Sequence, residues 1–318
     1  MKLMKNLLVL LLMAAIVFWG SDALAAKKKK SSEGDSTAQT SSPKKSKKSK
    51  KKSSKSGKSS AGKKGKKSGA KYHVPKKVKE KAKNYTIALD AGHADDTPGK
   101  RSCPYDQEVT HTFNGKTVTV HPGEQFKEHY ANVGIANELC KILEAHGFKV
   151  FKCGWNDDNP ADDRDTHEFQ RRDRIREAGS TITISIHHNA SGDGWHWHGG
   201  IGLETYYWTG HEQSRILANH IHNQLIAVYN PVNRGVKENQ FWMTDNGAMG
   251  TKASILIEHN FMTNRDETYA WFSNPEAWFN YATASARGLC NFLNIEYHGP
   301  KPTQQASEPA VPGERANF

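Results

Sequence analysis

The sequence predicts one α/β domain over residues 84–297, a central mostly parallel or mixed sheet covered by helices. Three observations predict it. From Tyr85 onward, short β-type runs alternate with segments of helical period. The stretch 27–83, rich in Lys, Ser and Gly, is too polar to join a core. No internal repeat divides the remainder, whose roughly 210 residues suit a single core.

Residues 1–26 carry Lys2 and Lys5, an apolar run at 7–18 and the small-residue ending Ala23-Leu24-Ala25. This is the layout of a secretory signal peptide, and the expectation is an exported protein, periplasmic or wall-associated. The alternative is an uncleaved anchor, although a membrane-spanning helix needs roughly 20 apolar residues.

Residues 27–83 hold 23 lysines against Glu33, Asp35 and Glu80, a net +20 in a chain whose total is +12. The first 26 residues add +1, which leaves −9 on residues 84–318. The basic pI therefore belongs to the tail, and a nucleic-acid face on the folded part is not expected. Such a stretch is expected to be disordered and extended by its own charge. It serves either as an electrostatic tether to an anionic polymer or membrane surface, or as a solvated spacer. Nucleic acid is the least favoured partner, because the tail almost lacks aromatic residues for base stacking.

In the folded part, a strand at 85–89 runs into Asp90-Ala91-Gly92-His93. Asn114-Gly115 between β-type runs at 109–113 and 116–120 signals a hairpin. A helix at 127–146 closes at Gly147, and a strand follows at 148–152. Then come an acidic loop at 156–165, a charged helix to 178, and a strand at 181–186 that ends in His187-His188-Asn189. A strand at 202–208, a helix at 212–229, a buried strand at 254–257 ending at Glu258, and a helix at 276–294 complete the domain. Residues 298–318 are expected to be a disordered tail. Cys103, Cys140, Cys153 and Cys290 allow three disulfide pairings in an exported protein, while Cys140 and Cys290 fall in helices where a buried thiol serves equally well.

His93, His187 and Glu258 each end or follow a strand, and Glu128 starts a helix. Carboxyl ends of parallel strands share one rim, where ligands bind. Two imidazoles and a carboxylate suit Zn²⁺ with a fourth position left for water, and a second carboxylate is then needed to move the proton. Taken singly, each residue also has an ordinary reading: a loop histidine, or an acid favouring a helix dipole. Glu258 is the exception, since an acid ending the apolar run Ile255-Leu256-Ile257 needs a partner or a role.

Leu89-Asp90-Ala91-Gly92-His93, Glu128, Ser185-Ile186-His187-His188-Asn189-Ala190 and Ile257-Glu258-His259-Asn260-Phe261-Met262 follow in this order. Together they resemble the zinc-dependent N-acetylmuramoyl-L-alanine amidases, over residues 85–295. The resemblance implies Zn²⁺ held by His93, Glu128 and His187, with Glu258 as catalytic acid/base. It implies a peptidoglycan substrate, cut between the lactyl group of N-acetylmuramic acid and L-alanine. The departures are His129 where the family usually has lysine, His188 beside His187, Gly179 in place of asparagine, and a long insert at 96–124. Strand alternation separates His187 from His188, and the motif selects His187. The insert either contacts substrate or forms a structural flap. Trp195-His196-Trp197-His198 is read as a sugar-gripping loop, a plain surface loop or a second metal site. The competing reading of the whole is a catalytically silent wall-binding scaffold held by its polybasic tail.

Overall fold

Strand and helix boundaries in the computed structural model follow the apolar patterning closely. The structure describes residues 72–229, 232–304 and 311–318; the expected signal segment and residues 27–71 lie outside these. The elements in chain order are α1 (Lys76–Ala82), β1 (Thr86–Ala91), β2 (Val109–Phe113), β3 (Lys116–Val120), α2 (Glu128–His146), β4 (Lys149–Cys153), α3 (Glu168–Glu177), β5 (Ile182–Asn189), β6 (Leu203–Tyr207), α4 (Glu212–Tyr229), β7 (Asn233–Glu238), β8 (Ala253–Phe261) and α5 (Pro275–Phe292).

Six strands form one sheet in the order β4-β1-β5-β8-β6-β7. All neighbours are parallel except β6, which runs antiparallel to β8. Side chains alternate between its faces. Ile87, Leu89, Ile182, Ile184, Ile186, Ile255 and Ile257 enter the larger core with α2, α4 and α5. Ala88 and Leu256 face the other way, into a smaller core with Ile175 of α3, Met243 and Met249. The same parity places His187 and Glu258 on the thinner side and His188 and His259 on the thicker side.

Two turns show why the chain breaks where it does. Asn114 and Gly115 adopt φ values of 50° and 82°, the left-handed pair that a two-residue hairpin requires. Gly147 ends α2 at φ 95°, and its N–H together with that of Phe148 satisfies the last-turn carbonyls.

Each of the two stretches expected to be disordered has a described part that is ordered. The Lys-rich segment ends in α1, whose Val78 and Ala82 are buried with Val74 before them. Those apolar residues recur every four positions and form one helical stripe beneath the lysines. At the other end, the described part of the tail is packed: Ala316 donates to the Phe292 carbonyl at 2.9 Å, and Phe318 lies against Phe292 and Tyr85. The four cysteines are all buried and unpaired. The insert divides in two: the β2–β3 hairpin packs on α5 through Phe113–Phe279 and Lys116 over Trp278, while Lys100 faces the cleft described next.

Candidate metal centre

β1, β5 and β8 are parallel, so their carboxyl ends share a rim, and His187 pairs in register with Glu258 across β5 and β8. Immediately beyond, the register slips by one residue, a bulge that re-aims side chains where the ladder ends. Gly92 and His93 follow β1, with His93 at φ 63°. Glu128 opens α2 and reaches the rim from above. His93 Nε2 lies 3.2 Å from Glu128 Oε2, and His187 Nδ1 lies 3.3 Å from Glu128 Oε1. Ligand atoms of His93, Glu128 and His187 all lie within 4.8 Å of one another, the one such group among the described residues. The edge of a zinc tetrahedron with bonds of about 2.0–2.1 Å is about 3.3 Å, which matches the separation of Glu128 from each imidazole, so the donor set fits the ion in chemistry and in these two spacings.

Surrounding groups fix each donor. Gly92 is forced, because a Cβ there would lie 2.2 Å from His187 Cε1. Its carbonyl accepts from His129 Nδ1 at 2.9 Å and Asn132 Nδ2 at 3.1 Å. His129 also contacts Asp163 at 2.8 Å, so the residue that departs from the family pattern is a buried brace for the ligand loop. Arg171, from α3, donates to Asp90, to the Ala91 carbonyl and to the His93 carbonyl at 2.9, 2.8 and 2.5 Å. One guanidinium thereby holds both sides of Gly92, and Ser185 donates to the other oxygen of Asp90. The backbone N–H of His188 donates to Glu128 Oε1 at 3.0 Å, while its ring turns away to Asn132 and Phe272. His188 therefore supports Glu128 and lies outside the group of three. His259 Nδ1 donates to the His187 carbonyl at 3.2 Å.

Burial alone would raise the Glu128 carboxyl, but His93 and His187 outweigh it and hold the group well below its usual range. Glu258 responds in the opposite sense: burial first, then the nearby carboxylates Glu128 and Glu204, push it up to about 7 despite His187. Its Oε2 is sealed and has no hydrogen-bond partner in the structure. A buried carboxylate left unpaired is costly unless it has work to do.

Glu204 was absent from the candidate set. It stands opposite Glu258 across β8 and β6, 2% exposed, and is bound by Asn189, Tyr206, Arg234 and Lys237. Burial raises its carboxyl, yet the donors, Lys237 and Arg234 foremost, hold it low. Its neighbours Thr205, Tyr206 and Tyr207 form no plain apolar run, so its sequence context carries no signal like that of Glu258. In the 195–198 loop, His196 and His198 lie 2.8 and 3.6 Å from Asp193, and the three are not gathered into a metal-ligand group.

A cleft of about 340 Å³ opens over the group, lined by His93, Lys100, His187, Trp242, Met243 and Glu258 among others. The family profile described as N-acetylmuramoyl-L-alanine amidase matches residues 87–291, which includes all of these. The chain belongs to the N-acetylmuramoyl-L-alanine amidase family. Among curated relatives, it is similar to the uncharacterized protein YqiI of Bacillus subtilis strain 168, 31% identical over 176 residues, 50% of this chain and 77% of the relative. Solved structures share its fold, among them the following two. One is an N-acetylmuramoyl-L-alanine amidase from Clostridium difficile 630 (22% identity, 67% of this chain, 98% of that one, TM-score 0.51). The other is the catalytic domain of CwlV from Bacillus (Paenibacillus) polymyxa var. colistinus (20% identity, 67% and 99%, TM-score 0.51).

Proposed function

We propose that this chain is a zinc-dependent hydrolase that cuts the amide between the lactyl group of N-acetylmuramic acid and L-alanine in peptidoglycan. The observation that carries the reading is the convergence of His93, Glu128 and His187 beside a Glu258 with a free carboxylate oxygen. His93, Glu128 and His187 hold the ion. When bound, zinc polarises the scissile carbonyl and lowers the pKa of the attacking water. Glu258, its pKa raised toward neutrality, accepts the water proton and delivers it to the departing alanine nitrogen. Arg171 and His129 keep the Gly92–His93 turn in place through the cycle. Export by residues 1–26, with residues 27–83 as tether to an anionic surface or as spacer, would bring the domain to the wall.

The full-length protein, incubated with purified peptidoglycan, should release stem peptides that begin with L-alanine and should stop doing so in a chelator. Glu258→Gln should lower turnover by at least about a hundredfold while zinc content stays stoichiometric. Retained turnover in that variant would remove Glu258 from the chemistry. Intact wall with full zinc occupancy would favour the scaffold reading.

A further inference from the structure

We propose that Lys100 reads a carboxylate on the peptide side of the substrate and sets the preference for free-acid over amidated stems; this rests on the amidase reading above. Lys100 lines the cleft over the metal group and also the adjoining polar cavity of about 290 Å³, which share His93, Glu168, His187 and Met243. Its backbone is fixed. The Lys100 carbonyl accepts from Glu128 N–H at 3.0 Å, Arg101 bridges Lys127, and Ser102 N–H donates to the Phe126 carbonyl at 2.9 Å. The α-carbon is thus tied to the first turn of α2 while the side chain is exposed.

Five neighbouring cations are already matched. Lys127 meets Asp95 at 2.6 Å, Arg171 meets Asp90, Arg172 meets Asp245, and Arg234 and Lys237 share Glu204. Lys100 has no carboxylate within ion-pair distance among the described residues, and it lines the same cleft as His93 and Glu258. Balance within the site points the same way. Of the acids that share these cavities, Glu168 lies 3.3 Å from His167 and Asp165 3.9 Å from Arg171, which leaves the Lys100 ammonium without an ion-pair partner until an anion arrives. On this substrate the muramic carboxyl is consumed in the scissile amide, so the glycan next to the cut is neutral and the anions belong to the peptide. The residue after the released alanine lies about 4 Å further along the chain, and a carboxylate there, left free or amidated, would be the first anion the peptide can offer.

The test uses two synthetic muramyl peptides that differ only in that group, carboxylate or carboxamide. With the full-length zinc-loaded protein, the free acid should be preferred. Lys100→Ala should lower kcat/KM roughly five- to tenfold on the acid, mainly through KM, and leave the amide nearly unchanged. Lys100→Arg should retain the preference and Lys100→Glu should invert it, with zinc content and melting temperature unaltered in all three. Binding of the same ligands to Glu258→Gln, with and without Lys100→Ala, reads the preference without turnover. Equal losses on both ligands, or none on either, would overturn the proposal. A binding preference that depends on Lys100 in a protein that cuts neither ligand would instead overturn the amidase reading and keep this one.

Discussion

At the candidate metal centre, Gly92 sets how closely the β1 turn can approach His187. Its hydrogen stands where a methyl group would overlap the His187 ring at 2.2 Å, and its carbonyl is clamped by His129 and Asn132. The turn cannot retreat, because Arg171 holds the carbonyls on both sides. Gly92→Ala must therefore push His187 off its position and not the backbone. The expected outcome is loss of zinc affinity by at least about tenfold with only a modest change in fold stability, since the ring abuts the open cleft. Competition with a colorimetric chelator measures the first, and thermal melting of the metal-free protein the second. Unchanged zinc affinity would mean that His187 is not fixed by this contact.

At the scale of elements, α1 shows what the sequence hides. Val74, Val78 and Ala82 are 6%, 5% and 0% exposed, and Lys79 passes so close to the end of α2 that a Cβ on Gly147 would lie 2.9 Å from its α-carbon. Burying a valine is worth about 1.5–3 kcal/mol, so a chain begun at residue 84 should lose roughly 2–4 kcal/mol of unfolding free energy against one begun at residue 72. Urea unfolding of the two fragments measures it, and equal midpoints would show that α1 is ornamental. The sequence conceals the element because three apolar residues at a spacing of four are submerged in lysines that dominate any composition window. The sheet strands were readable for the opposite reason: Ile182, Ile184 and Ile186 alternate with the small polar residues Thr183 and Ser185, so strand and inward face are written together. Of the site, His93, Glu128, His187 and Glu258 were legible through the family motifs that contain them, since their places near strand ends and a helix start left most of them with an ordinary reading too. Glu204, Arg171 and His129 were not, since their partners come from distant segments and only the folded chain brings them within reach.

The molecule as a whole buries many histidines, and this sets its response to acid. His146, His220, His222 and His259 all have pKa values lowered, in each case first by burial, and that of His259 falls to about 4. An unfolded histidine takes up its proton near 6.5. Between that pH and the lowered native value the unfolded chain holds more protons, so stability is fully present above 6.5 and declines as pH falls toward 4. At pH 5 His259 alone accounts for about 2 kcal/mol of that loss. Glu258 works in the other direction: with its carboxyl pushed up to about 7, the folded state gains as pH drops from 7 to the ordinary carboxylate range. Glu258→Gln removes that opposing titration and leaves the histidines in place. Metal-free protein should therefore lose stability from pH 7 to pH 5, and the Glu258→Gln protein should lose it more steeply. Urea unfolding at both pH values, with chelator present, gives the two slopes. Parallel slopes would mean that Glu258 titrates in the folded chain as it does in the unfolded one. Such a group would be a weaker base at neutral pH than the proposed reaction requires.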